Sequence, residues 1–155
     1  MPHTRVLPSR RFQSCINIPG YAMEEAHEKP LRGSECILIV EDEQTLREVA
    51  EYVLSKFGYR VLLAVDGESA LDLYRKEREN ISVIVLDVIM TGMGGKRCLK
   101  ELLLLNPDAK IIVVSGWTDD EPPDVFIQAG AKEFMSKPYD VKNLARVIRK
   151  VLDKR

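Results

Sequence analysis

The stretch CILIVEDE, residues 36–43, decides the fold of this chain. Its first five residues are all apolar, and they end abruptly at three consecutive acids. An uninterrupted apolar run of this length is typical of a strand covered on both faces of a parallel sheet. The acids fall where such a strand leaves the sheet. The segment therefore predicts a buried first strand that delivers carboxylates to one edge of an α/β domain.

A helical pattern follows the acids, and the same alternation continues along the chain. Gly58 stands where a glycine commonly ends a helix. Further strand-like runs cover residues 59–65, 81–86, 110–114 and 131–135, with helical patterns between and after them. Five strands that alternate with five helices predict a doubly wound α/β domain around a parallel sheet. The apolar face of the first helix comprises Leu46, Val49, Ala50, Val53, Leu54 and Phe57.

The first 34 residues differ from the rest. They show no sustained hydrophobic period and carry several prolines and glycines, which predicts a poorly ordered tail or linker before a domain at 35–155.

The net charge of the whole chain, −1, favours neither nucleic acid nor an anionic membrane as a partner. No apolar run approaches the length of a membrane span and no secretion signal is evident, so we predict a cytoplasmic protein.

Polar side chains end four of the five predicted strands. Glu41 and Asp42 follow the first strand, Asp87 ends the third, Ser115 ends the fourth, and Lys137 comes just after the fifth. Because the carboxyl ends of parallel strands meet at one edge, we expect these groups to converge. Clustered carboxylates repel one another, and Mg2+ relieves that repulsion with the oxygen ligands it prefers. The pattern indicates a carboxylate nucleophile with an ammonium and a hydroxyl to hold phosphoryl oxygens.

Four motifs carry a resemblance to a known family. They are ILIVEDE at 37–43, VLDVIM at 85–90, VVSG at 113–116 and GAKEFMSKP at 130–138. Together they resemble the response-regulator receivers of bacterial two-component signalling over residues 35–155. The resemblance implies a flavodoxin-like fold whose five parallel strands lie in the order 2-1-3-4-5 with five helices. It also implies a phosphoprotein that signals by protein contact rather than an enzyme.

The resemblance assigns a role to each acid of the polar edge. It implies that Asp87 is the phospho-acceptor. It implies that Asp42 is a direct magnesium ligand and that Glu41 reaches the ion more loosely or through water. The backbone carbonyl of Ile89 is implied to complete the protein ligands of the ion.

Further implied roles concern the phosphoryl group and the switch. Ser115 and Lys137 are implied to bind the phosphoryl oxygens. Phe134 matches the family's switch aromatic, which turns inward when Ser115 moves toward the phosphoryl group. The Lys137–Pro138 peptide bond is expected to be cis.

The resemblance also implies partners. A histidine kinase or phosphotransfer protein is expected to donate the phosphoryl group. A protein target is expected to bind the face made by the fourth helix, fifth strand and fifth helix, and a homodimer is possible. The sequence departs from the family at Thr91, where a proline is usual. Pro122 and Pro123 predict a fourth helix that begins late and is short, so the partner that fits this face stays open.

Three alternatives and one property of the site complete the expectations. The last helix ends near Arg155, so no output domain is expected in a stand-alone receiver. Alternatively, the chain is a receiver that belongs to a hybrid histidine kinase and is cut from it or encoded apart. An aspartyl-phosphate hydrolase needs a second acid two residues after the nucleophile, where this chain has Ile89. A flavodoxin-like electron carrier needs a phosphate-binding loop that the sequence lacks. Bulky Ile89 and Trp117 flank the expected path of attacking water, which predicts slow self-dephosphorylation.

Overall fold

The computed structural model describes residues 31–116 and 121–154. The predicted tail up to residue 30 and the Trp117 side chain lie outside these residues, so the expectations for them stay predictions. Within the described ranges, five strands alternate with five helices. The strands are β1 Cys36–Val40, β2 Arg60–Ala64, β3 Ile81–Asp87, β4 Ile111–Ser115 and β5 Glu133–Ser136; the helices are α1 Gln44–Lys56, α2 Gly67–Glu77, α3 Gly95–Leu105, α4 Pro123–Gln128 and α5 Val141–Asp153.

The five strands form one parallel sheet in the order β2-β1-β3-β4-β5, which confirms the predicted fold. Every residue of β1 is buried because helices cover both faces of the sheet. One apolar cluster lies between the sheet and α2, α3 and α4. The other lies between the sheet and α1 and α5. This winding brings all the carboxyl ends of the strands to one edge of the domain.

Helix α1 carries the predicted apolar face but buries only part of it. Ala50 and Leu54 are buried, whereas Leu46 and Val49 leave 38% and 46% of their surface exposed. Helical spacing identifies the side of α1 that turns toward the protein, but it does not show how much of that side other elements cover. An apolar groove of about 360 Å³ remains beside the exposed part of the face. Its lining comprises Leu46, Val49, Ala50, Lys137, Pro138, Tyr139 and Val141.

The helix ends follow their capping residues. The Asp66 carboxylate accepts a hydrogen bond from the Ser69 amide at 2.7 Å and begins α2, and Asp140 caps α5 in the same way. Helix α4 begins at Pro123 and has six residues, which confirms the late, short helix that the two prolines predict. Among the described residues, no helix combines the length and the apolar character that crossing a bilayer requires.

Strand β5 begins at Glu133, two residues later than predicted. The amide of Ala131 donates to the carbonyl of Phe126 at 3.0 Å, so this residue closes the end of α4 instead of joining the sheet. Pairing with β4 starts only where Glu133 lies opposite Ile112. The apolar character of Ala131 therefore reflects its burial under α4 rather than a place in the ladder.

The segment before β1 is tied to the domain. The Tyr59 hydroxyl donates to the carbonyl of Leu31 at 2.9 Å, and the Gly33 amide donates to the carbonyl of Phe57 at 3.1 Å. Gly33 has no space for a side chain, because a Cβ there would collide with the Tyr59 ring and with Arg149. The segment thus attaches near the amino ends of the strands, at the opposite end of the sheet from the polar edge.

Candidate functional site

Three carboxylates converge at the carboxyl edge of the sheet. Glu41 and Asp42 lie between β1 and α1, and Asp87 is the last residue of β3. One oxygen from each of the three lies within 4.8 Å of the others. Glu41 and Asp87 are buried, whereas Asp42 is exposed. The convergence expected from the strand ends is therefore present, and it combines two shielded acids with one that faces solvent.

Lys137 reaches across this edge from the end of β5. Its Nζ lies 2.7 Å from Oε2 of Glu41 and 2.8 Å from Oδ2 of Asp87. Burial by itself would lower the pKa of Lys137, but the hydrogen bonds and charges of the two carboxylates outweigh it and raise the pKa. The backbone amide of Lys137 also donates to the carbonyl of Ser115 at 2.7 Å. These contacts fix the ammonium as a protonated donor over the acids.

The pKa of Glu41 is raised by its surroundings at this edge. Burial raises the pKa of Glu41, the hydrogen bond from Lys137 lowers it, and the nearby charge of Asp87 raises it again, with a net increase. Burial is thus the main reason for the increase, and the charge of Asp87 adds to it. Three carboxylates share one ammonium at this edge, so a net negative charge remains that favours binding of a further cation.

Both carboxylate oxygens of Asp87 have a donor. Oδ1 accepts from the Ile89 amide at 2.9 Å, and Oδ2 accepts from Lys137. The backbone beyond Asp87 is held to the sheet, since the Val88 amide donates to the carbonyl of Val114 at 2.9 Å. Ile89 leaves 46% of its surface exposed. The Asp87 carboxylate is thus oriented by neighbours on both sides.

Gly95 has a role that sequence reasoning missed. A Cβ at this position would collide with the carbonyl oxygen of Asp87 and with the backbone of Val88. The glycine therefore lets the first turn of α3 pack directly against the backbone at the end of β3. A close backbone approach therefore explains this glycine.

Ser115 and Phe134 lie on the neighbouring strands β4 and β5. Ser115 is buried, and its hydroxyl donates to the carbonyl of Gly116 at 3.4 Å, among its contacts. Phe134 is half-buried, and its ring stacks on Phe126 of α4 with centroids 5.7 Å apart and planes at 16°. The contact with Phe126 was not predicted from sequence. It joins the implied switch aromatic to the short fourth helix.

Arg47 is a second residue that sequence reasoning did not single out. Its Nη1 donates to the carbonyls of Glu41 and Asp42 at 2.7 and 3.0 Å. An arginine on the polar side of an amphipathic helix carries no signal of its own, because most such residues are solvated. Only the folded geometry reveals that this one reaches back to the acidic loop.

The donor set fits magnesium. Three carboxylates that bring oxygen atoms within 4.8 Å of one another provide the hard, anionic ligands that this ion selects, with open sides for water. The peptide bond between Lys137 and Pro138, two residues that line the apolar groove, is cis, as expected. Neither imidazole nor thiolate is part of this cluster, so a zinc-type site is not indicated here.

The chain is similar to known proteins over most of its length. A family model described as the response regulator receiver domain matches residues 37–149. The sensor kinase CckA of Brucella abortus (strain 2308) is 34% identical over 138 residues, which are 88% of this chain and 15% of that protein. The chemotaxis protein CheY of Thermotoga maritima is 32% identical over 116 residues, which are 74% of this chain and 95% of that protein.

A solved structure agrees with the fold. The response regulator receiver domain protein of Clostridium thermocellum superposes with a TM-score of 0.73 at 24% identity, over 77% of this chain and 94% of that chain. At this identity the likeness supports the architecture alone. The chain spans only a small part of the sensor kinase, so the activity of that whole protein does not transfer to it.

Proposed function

Because the chain belongs to the response-regulator receiver family, we propose that Asp87 accepts a phosphoryl group from a histidine kinase or a phosphotransfer protein. The observation that carries the proposal is the position of Lys137, whose Nζ contacts both Asp87 and Glu41. A cation held over a carboxylate at a strand end is suited to receive the oxygens of an incoming phosphoryl group. Asp42, Asp87, Glu41 and the carbonyl of Ile89 are the proposed magnesium ligands.

The chemistry is a displacement at phosphorus. An oxygen of Asp87 attacks the phosphorus of the donor, an O–P bond forms, and the bond between phosphorus and the donor's imidazole nitrogen breaks. The electron pair returns to the imidazole, which takes up a proton. Magnesium, when bound, neutralises phosphoryl oxygens and the neighbouring acids. Lys137 and the hydroxyl of Ser115 hold the remaining phosphoryl oxygens in place.

Output is proposed to pass through the face formed by α4, β5 and α5. Ser115 moves toward the phosphoryl group, and the space it leaves admits the ring of Phe134. The stacking of Phe134 on Phe126 supports this route, because a rotation of one ring requires α4 to repack. The change is a shift between two packings of one fold, and a target protein or a second copy of the chain reads the favoured packing.

The apolar groove beside Lys137 supports a protein donor. Leu46 and Val49 are exposed along its α1 wall, and Pro138 and Tyr139 form the other wall. A helix that carries a phosphohistidine can bury apolar side chains there while its phosphoryl group reaches the polar edge. The groove and the acceptor share Lys137, so docking and transfer meet at one residue.

Incubation with acetyl phosphate and magnesium tests the acceptor directly. Intact-mass spectrometry is expected to record the gain of one phosphoryl group in the wild type and none in Asp87→Asn. Asp72→Asn, on the exposed side of α2, is the matched control and is expected to behave like the wild type. A gain that persists in Asp87→Asn would place the acceptor elsewhere.

A second candidate is a receiver that works with, or was separated from, a hybrid histidine kinase. The similarity to a sensor kinase over 138 residues favours it. In that case the receiver passes its phosphoryl group onward to a phosphotransfer protein. The neighbourhood of the gene tests the two candidates, because the histidine kinase encoded beside it shows which kind of kinase this receiver serves.

A further inference from the structure

We propose that Arg47 is a positioning residue for the magnesium site, acting through the loop that joins β1 to α1. The inference rests on the proposed function, because it concerns the ion that the acceptor site would use. It assigns to Arg47 the task of aiming the Glu41 and Asp42 carboxylates. Arg47 itself contacts neither the ion nor the phosphoryl group.

The contacts of Arg47 single out this loop. Its Nη1 donates to the carbonyls of two consecutive residues, Glu41 at 2.7 Å and Asp42 at 3.0 Å. Both carbonyls belong to residues whose side chains point into the acidic cluster. The two N–H bonds of one guanidinium nitrogen lie in a fixed plane, so an Nη1 that bridges two carbonyls sets the orientation of the two peptides that flank Asp42. Those two peptides determine where the Asp42 side chain projects.

Few other hydrogen bonds restrain the loop between β1 and α1 at Asp42. Glu43, at the N-cap of α1, makes no side-chain capping bond. The Glu43 amide instead donates to Oε1 of Glu41 at 3.1 Å, which ties Glu41 but leaves Asp42 to be placed by the backbone. The exposed Asp42 therefore depends on the carbonyl contacts of Arg47 for its position.

The location of Arg47 is otherwise unfavourable. It lies in the second turn of α1, near the amino end, where the helix dipole disfavours a cation. Only Lys56 stands in the last turn, where a cation is favoured. The two carbonyls and the adjacent acids account for a positive charge at the disfavoured end. The interaction is therefore specific to the acidic loop rather than a general feature of the helix.

Two effects of Arg47 on magnesium have opposite signs. Its positive charge repels the ion, whereas its hydrogen bonds hold the ligands in register. Arg47→Lys keeps the charge but replaces the planar NH2 group with a shorter, rotatable ammonium, so it isolates the geometric effect. Arg47→Met removes both. A purely electrostatic role predicts unchanged affinity in Arg47→Lys and tighter binding in Arg47→Met, which is the opposite of the positioning role.

Magnesium titration of the full chain by calorimetry is the test. Arg47→Lys is expected to raise the magnesium dissociation constant about threefold to tenfold, the range that loss of one hydrogen bond produces. Arg47→Met is expected to bind no more tightly than the wild type. Arg60→Lys, an exposed arginine at the start of β2, is the matched control and is expected to leave affinity unchanged. Melting curves without magnesium establish that each variant is folded at the titration temperature.

The outcomes separate the inference from the proposed function. Equal affinity in Arg47→Lys and wild type, or tighter binding in Arg47→Met, overturns the role of Arg47 and leaves the phosphorylation of Asp87 standing. A wild type that neither binds magnesium nor takes a phosphoryl group from acetyl phosphate overturns both. A weakened Arg47→Lys with an unchanged Arg60→Lys supports the positioning role.

Discussion

The ammonium of Lys137 lies 2.8 Å from Oδ2 of Asp87, although the strands that carry the two residues are not neighbours in the sheet. Strand β4 separates β3 from β5, so the lysine side chain passes over the end of β4 to reach the acid. Ser115 occupies that end of β4. The bridge therefore spans the place where the hydroxyl enters the site, and it links three adjacent strands at their carboxyl ends.

Removal of the Lys137 ammonium should destabilise the chain and increase its response to magnesium. Lys137→Ala leaves the buried Glu41 and Asp87 without their shared cation, at a cost of about 2 kcal/mol in the absence of magnesium. Because the acids then carry an additional uncompensated charge, magnesium should raise the melting temperature of the variant more than that of the wild type. Lys132→Ala, an exposed lysine next to β5, serves as the control. A smaller magnesium response in Lys137→Ala would show that the ammonium does not compete with the ion.

The affinity of the site for magnesium should depend more on Asp42 than on Glu41. Both oxygens of Glu41 already accept hydrogen bonds, from the Glu43 amide and from Lys137, whereas Asp42 is exposed at the mouth of the cluster. Asp42→Ala is expected to weaken magnesium binding at least about tenfold in a calorimetric titration, with a smaller loss in Glu41→Ala. Glu43→Ala is the control with the same charge change. Equal losses, or a larger loss in Glu41→Ala, would reverse the assignment.

Phe134→Ala should accept phosphate and lose its structural response. The variant loses the stacking contact with Phe126 and is expected to be less stable by about 2 kcal/mol. Hydrogen exchange in α4, β5 and α5, measured before and after treatment with acetyl phosphate, is expected to change in the wild type and to remain constant in the variant. Phe57→Ala removes a half-buried ring from the opposite face and should retain the response. A wild-type response in Phe134→Ala would remove the ring from the mechanism.

Hydrolysis of the phosphoryl group on Asp87 should be slow, and the side chain of Ile89 should contribute to this slow rate. An apolar side chain two residues after the acceptor cannot orient an attacking water, and Asn at that position can. Ile89→Asn is expected to accelerate loss of the phosphorylated form several-fold, as followed by intact mass over time. Trp117→Ala tests the second predicted shield, which lies outside the described residues. If neither substitution accelerates the loss, the shielding hypothesis is wrong.

The sequence predicts the fold well because its strongest signal is physical. A strand buried on both faces must be apolar throughout, and the acids at its end must leave the sheet, so CILIVEDE predicts both a β-strand and a polar edge. The late start of α4 follows from equally local chemistry, because Pro122 and Pro123 are adjacent in the chain. Each of these features is decided within a few residues of chain, and each is confirmed.

The features that escaped prediction depend on residues far apart in the chain. Spacing identifies the apolar face of α1, but the exposure of Val49 depends on tertiary neighbours that spacing does not reveal. Phe126 gives no local sign of its stacking on Phe134, and Arg47 gives none of its reach to two carbonyls. The strand pattern predicts a start of β5 that is too early, because it includes the apolar Ala131. This residue is buried under α4, and an apolar pattern does not distinguish such burial from a position in the sheet.

The attachment of Leu31 beside Tyr59 has a practical consequence for handling the molecule. A surface linkage or a label attached at Leu31 itself is held at the end of the sheet remote from Asp87. Such a linkage therefore leaves the acidic mouth at the opposite end of the domain from the support. Attachment through that end is the orientation of choice for capturing partner proteins from solution.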